Sequence, residues 1–304
     1  MDVYQLVPHS SRSWQLRQEN AAVEVLGQPC SVREVGDGQR ATTSVAPAVD
    51  VVIAPTTIFD VIQGWKQGWF WRKLESDVDW LISAIEVDSV LAVADGSYIR
   101  ELFTDANSCA FVLECQEERG RILGRLVEGS KDVCAYRGEL LGLLAIHLIL
   151  LAVNKLRPDL AGTVRIGSDC LGALGRVVDL PDDCLPSGTK PSDILKVLML
   201  HCQAFSFDCV YEHIEAHQDD QEAYMELSRV AQLNCCMDID AKRELLELVG
   251  QMTPAQLTLP LEPVVVMVGR HKMTSGSEER IVYWCNKILA WRILYDPKVH
   301  NLAG

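Results

Sequence analysis

The chain has 304 residues, a formal net charge of −14 and a hydrophobic fraction of 48%, with a pI of about 4.9. This much apolar material predicts a packed core and excludes disorder over the whole chain. Most proteins that bind nucleic acid on their own are basic, whereas this chain is acidic, which weighs against that class. Any binding to nucleic acid should therefore be weak and salt-sensitive.

The sequence also indicates a compartment. Residues 1–15 lack the apolar stretch of a signal peptide, and the 11 cysteines form no C-x-x-C pair, which favours free thiols in a reducing environment. The longest apolar run, Leu140 to Val153, is broken only by His147 and is shorter than the roughly 18 residues that span a bilayer. We therefore expect an intracellular protein, cytoplasmic or nuclear, with no transmembrane segment.

Two segments precede the part of the chain with the clearest pattern. Residues 1–45 show no clear period, which predicts a poorly ordered lead segment. Residues 46–87 are predicted to form a tryptophan-rich helical extension, because 76–86 has helical spacing. This extension holds four tryptophans: Trp65, Trp69, Trp71 and Trp80. Such aromatic residues are more typical of a core or docking surface than of base stacking.

Residues 88–250 predict one α/β domain. Three strands with short connections come first and indicate an antiparallel meander: Val90–Asp95, Ser108–Cys115 and Arg121–Val127. A long helix over about 132–156 then leads to a fourth strand at Thr163–Ser168, an arrangement typical of parallel pairing. A proline-rich loop at 181–193 is followed by a helix, a fifth strand and a last helix: Ile194–Ala204, Phe207–Ile214 and about 234–249. The order βββαβαβα predicts a mixed five-stranded sheet with helices on both faces.

The C-terminal part, residues 251–304, is predicted to be a small αβ appendage. Three prolines interrupt the chain: Pro254, Pro260 and Pro263. The segment Pro263–Val268 has a β pattern, and 277–295 has a helical period.

Four acidic residues lie where elements of the 88–250 domain begin or end. Asp95 closes the first strand and Asp169 closes the fourth, whereas Glu139 and Asp238 lie in the first turns of the long and last helices. Acidic residues at such ends are common individually, since they favour helix N-termini and turns. The set, rather than any member, therefore carries the prediction.

The last helix holds a second aspartate, Asp240, two residues after Asp238. Residues at i and i+2 on a helix point roughly 200° apart. Asp238 shares the apolar face of Ala241 and Leu245, so we expect Asp240 to face solvent.

Converging carboxylates suit one kind of chemistry. Cleavage of a phosphodiester puts charge on an attacking and a leaving oxygen, and two Mg²⁺ ions about 4 Å apart can stabilise both. Mg²⁺ prefers oxygen ligands, and it relieves the repulsion between neighbouring carboxylates. The four acidic residues therefore predict a site for two Mg²⁺ ions, for which Mn²⁺ can substitute.

Short motifs around these residues resemble a known family. They are DGSY (95–98), RGEL (137–140), GSDC (167–170), EAHQDD (215–220) and MDIDAK (237–242). In order and spacing they resemble ribonuclease H type 1 domains, in particular those of retrotransposon reverse-transcriptase polyproteins. The resemblance covers roughly 88–250, about half of the chain, and it implies a ribonuclease H-like fold.

The resemblance implies a catalytic and metal-binding role for four residues: Asp95, Glu139, Asp169 and Asp238. His217 matches the mobile-loop histidine that assists proton transfer or product release, a task suited to an imidazole with a pKa near 6.5. His213, inside the fifth strand, and His147, in the apolar helix, are interpreted as structural.

The activity implied by the resemblance is cleavage of the RNA strand of an RNA–DNA hybrid, which a protein distinguishes from DNA by its 2′-OH groups. The main chain after the first aspartate then lies near that strand, which implicates Gly96 and Ser97 in substrate binding. Asn234 is either the cap of the last helix or a further contact with the substrate backbone.

The sequence also departs from the family. The region from Arg176 to Lys196 carries four aspartates against three basic residues, so it offers no basic handle for the hybrid. No Tyr-x-Asp-Asp motif is present, and a polymerase segment or another protein is therefore an expected partner. The oligomeric state is not indicated.

Two alternatives to the enzyme remain open. The first is a catalytically inactive remnant that acts as a binding or scaffold domain, which the acidic charge favours. The second is another nuclease or a transposase of the same superfamily, which is weaker because a DDE-type transposase places its glutamate last, on a late helix, whereas Glu139 comes second here.

Overall fold

The computed structural model describes part of the lead segment and most of the chain from residue 55 to residue 274. The described residues are 4–10, 13–18, 23–25, 28–30, 55–65, 78, 80–115, 120–129, 133–182, 185, 189–249, 258–262, 265, 267–268, 271–272 and 274. The chain divides into two compact units, Met1–Ala54 and Pro55–Gly304.

The first unit contains two antiparallel hairpins. Strands β1 and β2 pair with Leu6 opposite Leu16, and strands β3 and β4 pair with Glu24 opposite Pro29. Their bounds are Tyr4–Ser10, Ser13–Gln18, Val23–Val25 and Gln28–Cys30. These strands lie in the lead segment for which the sequence indicated no regular structure.

The second unit is built on a five-stranded mixed sheet. Its strands are β5 (Val90–Ser97), β6 (Ala106–Cys115), β7 (Arg121–Gly129), β8 (Thr163–Ser168) and β9 (Asp208–His213). Their order in the sheet is β7-β6-β5-β8-β9. The first three strands pair antiparallel, whereas β8 pairs parallel with both β5 and β9. The predicted fold class is confirmed, and β5 lies at the centre of the sheet.

Six helices accompany the sheet among the described residues. They are α1 (Ile58–Gly64), α2 (Trp80–Glu86), α3 (Ala135–Leu156), α4 (Leu171–Val178), α5 (Ser192–His201) and α6 (Arg229–Leu246). Helix α4 was not predicted, and α6 begins five residues earlier than expected. The predicted helix at 277–295 lies outside the described residues.

The core lies on both faces of the sheet. On one face α3 packs with α1, α2 and α5, and it buries every residue from Arg137 to Val153. On the other face α6 covers the sheet with a smaller apolar cluster that includes Ala231, Met237 and Ala241. Of the described helices, α3 alone is long and apolar enough to cross a membrane, and 83% of its most apolar window is buried inside the protein. The prediction of a buried core helix is confirmed.

The flanks of the domain also contribute to its packing. Thr57 and Asp60 form a capping box that starts α1, whose Ile58 and Ile62 enter the core. Lys155 of α3 lies 5.5 Å from the ring centroid of Trp65. After α6, the short strands β10 (Met267–Val268) and β11 (His271–Lys272) form an antiparallel pair.

Candidate metal centre

Three of the four predicted carboxylates meet at one end of the sheet. Strands β5 and β8 are parallel neighbours that pair Val93 with Gly167, and two residues further along each strand direction stand Asp95 and Asp169. Glu139 approaches from α3. One carboxylate oxygen from each of these residues lies within 4.8 Å of the others. Asp95 and Glu139 are buried, with 4% and 7% of their surfaces exposed, and Asp169 is half-buried.

A pair of glycines allows Glu139 to come this close. A Cβ atom on Gly96 would overlap the backbone of Gly138 and Glu139, and a Cβ on Gly138 would lie 2.7 Å from the carbonyl oxygen of Ser108. The first turns of α3 therefore pack backbone against backbone on β5, which only glycine permits. Gly96 thus has a structural role, whereas the predicted substrate contacts of Gly96 and the buried Ser97 stay predictions.

The electrostatics of the cluster are those of crowded, desolvated acids. Burial, and then the charges of Asp169 and Asp238, raise the pKa of Asp95 to about 7. Burial, and then the charges of Asp95 and Asp169, raise the pKa of Glu139 well above its usual range. A hydrogen bond between the two carboxyls raises the pKa of Glu139 further and lowers that of Asp95. Burial and the charges of neighbouring acids thus dominate both shifts.

Polar groups around the cluster orient its members. The Ser168 hydroxyl donates to Glu139 Oε2 at 3.5 Å and accepts from the backbone N–H of Cys170 at 3.1 Å. The His213 imidazole Nε2 lies 3.0 Å from the carbonyl oxygen of Asp169. Sequence reasoning missed Ser168, although its position directly before Asp169 places it at the same strand end. The structural role predicted for His213 agrees with its contact to the backbone.

Asn234 is not the cap of α6. The helix begins at Arg229, and the Ser228 side chain accepts from the N–H of Ala231 as its cap. Asn234 is buried in the second turn, and its Nδ2 donates to Asp169 Oδ2 at 3.4 Å. Its Oδ1 atom is buried and has no hydrogen-bond partner among the residues that the structure describes. The expectation of a cap is therefore wrong, and the side chain instead contacts a carboxylate of the cluster.

Asp238 lies near the cluster but outside the group of three. Its charge contributes to the raised pKa of Asp95, and its Oδ2 forms an ion pair with Lys242 Nζ at 2.7 Å. A quarter of its side-chain surface is exposed. The fourth predicted carboxylate thus faces Asp95 while it is paired with a lysine one turn later on α6.

The expectation that Asp240 faces solvent is wrong. Its side chain is 13% exposed, and it lies 3.5 Å from Arg125 of β7 and 2.8 Å from Arg243. Helix α6 crosses β5, β6 and β7, so residues on two sides of the helix are covered. Asp240 is neutralised by arginines, in contrast to the uncompensated carboxyls of the cluster.

His217 lies in the loop between β9 and α6. Its backbone has a left-handed conformation with φ of 53°, and it precedes a short 3-10 helix, Gln218–Asp220. The side chain is exposed. Its predicted role in proton transfer stays a prediction.

Comparisons with known proteins give only distant likenesses. No family model and no curated protein matches the chain. Among solved structures, the N-terminal ribonuclease H domain of a Mycobacterium tuberculosis protein is 16% identical, with 53% of this chain and 96% of that chain covered and a TM-score of 0.33. Ribonuclease H1 of Halobacterium salinarum is 14% identical, with coverage of 52% and 98% and a TM-score of 0.31.

A third solved structure is the protease–reverse transcriptase of prototype foamy virus. It is 15% identical, with a TM-score of 0.35, and the match covers 51% of this chain and 20% of that one. The chain therefore spans about a fifth of the length of this viral protein. Likeness at this level does not indicate the activity of this chain, which is inferred below from the geometry of its carboxylates.

Proposed function

We propose that this chain is a divalent-metal-dependent endoribonuclease that cleaves the RNA strand of RNA–DNA hybrids. One observation carries the proposal: Asp95, Glu139 and Asp169 come from three separate elements and bring their oxygens within 4.8 Å of one another. Burying like charges together is costly unless a cation compensates them.

The donor set fits Mg²⁺ or Mn²⁺. All three side chains offer oxygen, the ligand atom that these hard cations prefer, and the set contains no thiolate or imidazole. Burial and mutual repulsion raise the pKa values of Asp95 and Glu139, and a bound cation would relieve that repulsion. Bound divalent ions would stabilise the charge on the attacking and leaving oxygens during hydrolysis.

The protein's own groups would hold this arrangement in place. Ser168 and Asn234 contact Glu139 and Asp169, so both carboxylates have a hydrogen-bonding neighbour that fixes their orientation. Hydrolysis adds a water to the phosphorus and breaks one P–O bond of the RNA strand. The exposed His217 is proposed to transfer a proton or to assist the release of the product.

The second candidate is a catalytically inactive remnant that binds other proteins. The net charge of −14 favours it, as does the Lys242 ion pair that already neutralises Asp238. A retroelement reverse transcriptase is the proposed parent of either form, because the sequence motifs resemble that family.

A cleavage assay separates the two candidates. The full chain is incubated with a labelled RNA–DNA hybrid at low salt with Mg²⁺ or Mn²⁺, beside single-stranded RNA and duplex DNA. Asp95→Asn and Glu139→Gln test the cluster, and Asp240→Asn is the matched control on an aspartate that arginines already neutralise. Cleavage of the hybrid alone, lost in the first two variants and kept in the third, supports the enzyme. Absence of cleavage by the folded wild type supports the remnant.

A further inference from the structure

A second group of buried charges lies beside the first turn of α3 and outside the metal centre. Arg137 is 1% exposed, and its guanidinium donates to both oxygens of Glu128 at 2.6 and 2.7 Å. It also donates to both oxygens of Asp193, at 2.8 and 2.9 Å. One arginine thus joins the end of β7 to the start of α5 through two bidentate pairs, which are the most directional ion pairs that proteins form.

The outer end of this network comes from the C-terminal segment. Lys272 of β11 is 4% exposed, and its Nζ lies 2.9 Å from Asp193 Oδ2 and 2.8 Å from Glu262 Oε2. The backbone N–H of Ser192 donates to the carbonyl oxygen of Thr274 at 2.7 Å. Two cations and three carboxylates therefore form one buried chain of ion pairs.

This network ties described residues of the predicted C-terminal appendage to the start of α3 and α5. Asp193 has two cationic neighbours, one from α3 and one from β11, and its pKa lies below the usual range because these cations outweigh its burial. Without Lys272, Asp193 would keep only its ion pair with Arg137. The buried Glu262 would lose its ion pair with Lys272. Glu262 and Lys272 thus complete the electrostatic environment of the α3 start.

Arg137 and Glu139 stand two residues apart on α3, so their side chains leave the helix in nearly opposite directions. Arg137 reaches the network, and Glu139 reaches the carboxylate cluster. Between them, Gly138 packs against β5 and β6 so closely that a Cβ on it would lie 2.7 Å from the carbonyl oxygen of Ser108 and 3.1 Å from the Cα of Gly96. A shift of the Arg137 side of the helix would therefore move Glu139.

We propose that Arg137 and Lys272 are positioning residues for Glu139, so that the segment 258–274 is required for a well-formed metal centre. The proposal rests on the proposed function, because it assumes that Glu139 is a metal ligand. Removal of a residue that orients a metal ligand without touching the metal typically weakens metal binding by about 10- to 100-fold.

The test measures Mn²⁺ binding by calorimetry and hydrogen exchange of the α3 backbone, both on the full chain. Lys272→Met is expected to weaken Mn²⁺ binding about tenfold and to accelerate exchange in the first turn of α3. Lys272→Met combined with Glu262→Gln restores the charge balance and should recover most of the affinity. Arg137→Lys keeps the charge and the fold but cannot form two bidentate pairs, and it should weaken binding as well.

The matched control is Ile85→Ala. Ile85 is buried and packs against Gly162, the residue before β8. Asp169 follows the opposite end of β8, so this contact is remote from the carboxylate cluster. At an equal loss of thermal stability, this variant should bind Mn²⁺ like the wild type and keep the exchange pattern of α3. Unchanged affinity and unchanged α3 exchange in folded Lys272→Met and Arg137→Lys would overturn the proposal.

The two readouts separate the proposals. If the wild type binds no Mn²⁺, the metal centre itself is wrong, and hydrogen exchange still decides whether the network anchors α3. If the wild type binds Mn²⁺ and neither variant changes affinity or exchange, only the positioning role fails.

Discussion

Replacing Asp95 by asparagine should stabilise the metal-free protein, although it removes a residue assigned to the site. The pKa of Asp95 rises from 3.8 to about 7 on folding, chiefly because the carboxyl is buried and next because Asp169 and Asp238 repel its charge. Each unit of pKa corresponds to about 1.4 kcal/mol, which sets an upper limit of about 4 kcal/mol for the cost of ionised Asp95. Coupling with Glu139 shares this cost, so we expect a gain of about 2 kcal/mol at pH 8.

The gain should depend on pH in a defined direction. Because the folded pKa of Asp95 lies above the unfolded one, folded wild type holds more protons between about pH 4 and 7, and its stability falls as pH rises through that window. Asparagine does not titrate. The gain in stability of Asp95→Asn over wild type should therefore be largest at pH 8 and clearly smaller at pH 5.

Thermal unfolding in EDTA measures this effect. For a domain of this size, about 2 kcal/mol corresponds to a rise in Tm of roughly 4–8 °C at pH 8. Asp240→Asn is the control, because Asp240 lies between Arg125 and Arg243 and its loss should give no gain. A variant Asp95→Asn that is less stable than wild type, or whose gain is equal at pH 5 and pH 8, would refute the reasoning.

Three further predictions concern packing and ion pairs. Gly96→Ala should lower the free energy of unfolding by about 2–3 kcal/mol and weaken Mn²⁺ binding, because its Cβ would overlap the backbone of α3. A Cβ at Gly175 meets open space, so Gly175→Ala should leave the stability in urea unfolding unchanged or raise it. Arg137→Ala removes the guanidinium that pairs with buried Glu128 and one of the two cations beside buried Asp193, and it should lower the free energy of unfolding by more than about 3 kcal/mol. Arg165→Ala, at an exposed ion pair, should change it by no more than about 1 kcal/mol. Lys242→Met frees a carboxylate beside the cluster and should strengthen Mn²⁺ binding a few-fold in calorimetry, with little change in stability. A Gly96→Ala variant as stable as wild type would contradict the close packing of α3 on β5. Weaker Mn²⁺ binding by Lys242→Met would contradict the idea that Lys242 competes with the metal for Asp238.

Local pattern was sufficient to predict the sheet. Strands β7 and β8 alternate between buried and more exposed positions, and the short connections between β5, β6 and β7 determine their antiparallel pairing. Helix α4 was missed because it has only eight residues and two glycines, too short a run for a helical period to stand out. The early start of α6 could have been found from Ser228, a favoured cap residue.

Part of the site was also predictable from local sequence pattern and from the order of the elements. Asp95 lies near the end of β5 and Asp169 directly follows β8, its parallel neighbour, so their meeting follows from the order of elements alone. Contacts between distant parts of the chain leave no such local signal. The Arg137 network joins residues 9 and 56 positions away in sequence, and Asp240 is covered by a strand that lies more than a hundred residues earlier.

Titration of Mn²⁺ into the full chain at neutral pH tests the central claim most directly, since the claim is that Asp95, Glu139 and Asp169 hold divalent cations. Calorimetry should show saturable binding by the wild type that is lost in Asp95→Asn and Glu139→Gln and kept in Asp240→Asn. Equal binding by Asp95→Asn and wild type, or no binding by folded wild type, would contradict the assignment of a metal centre to these carboxylates.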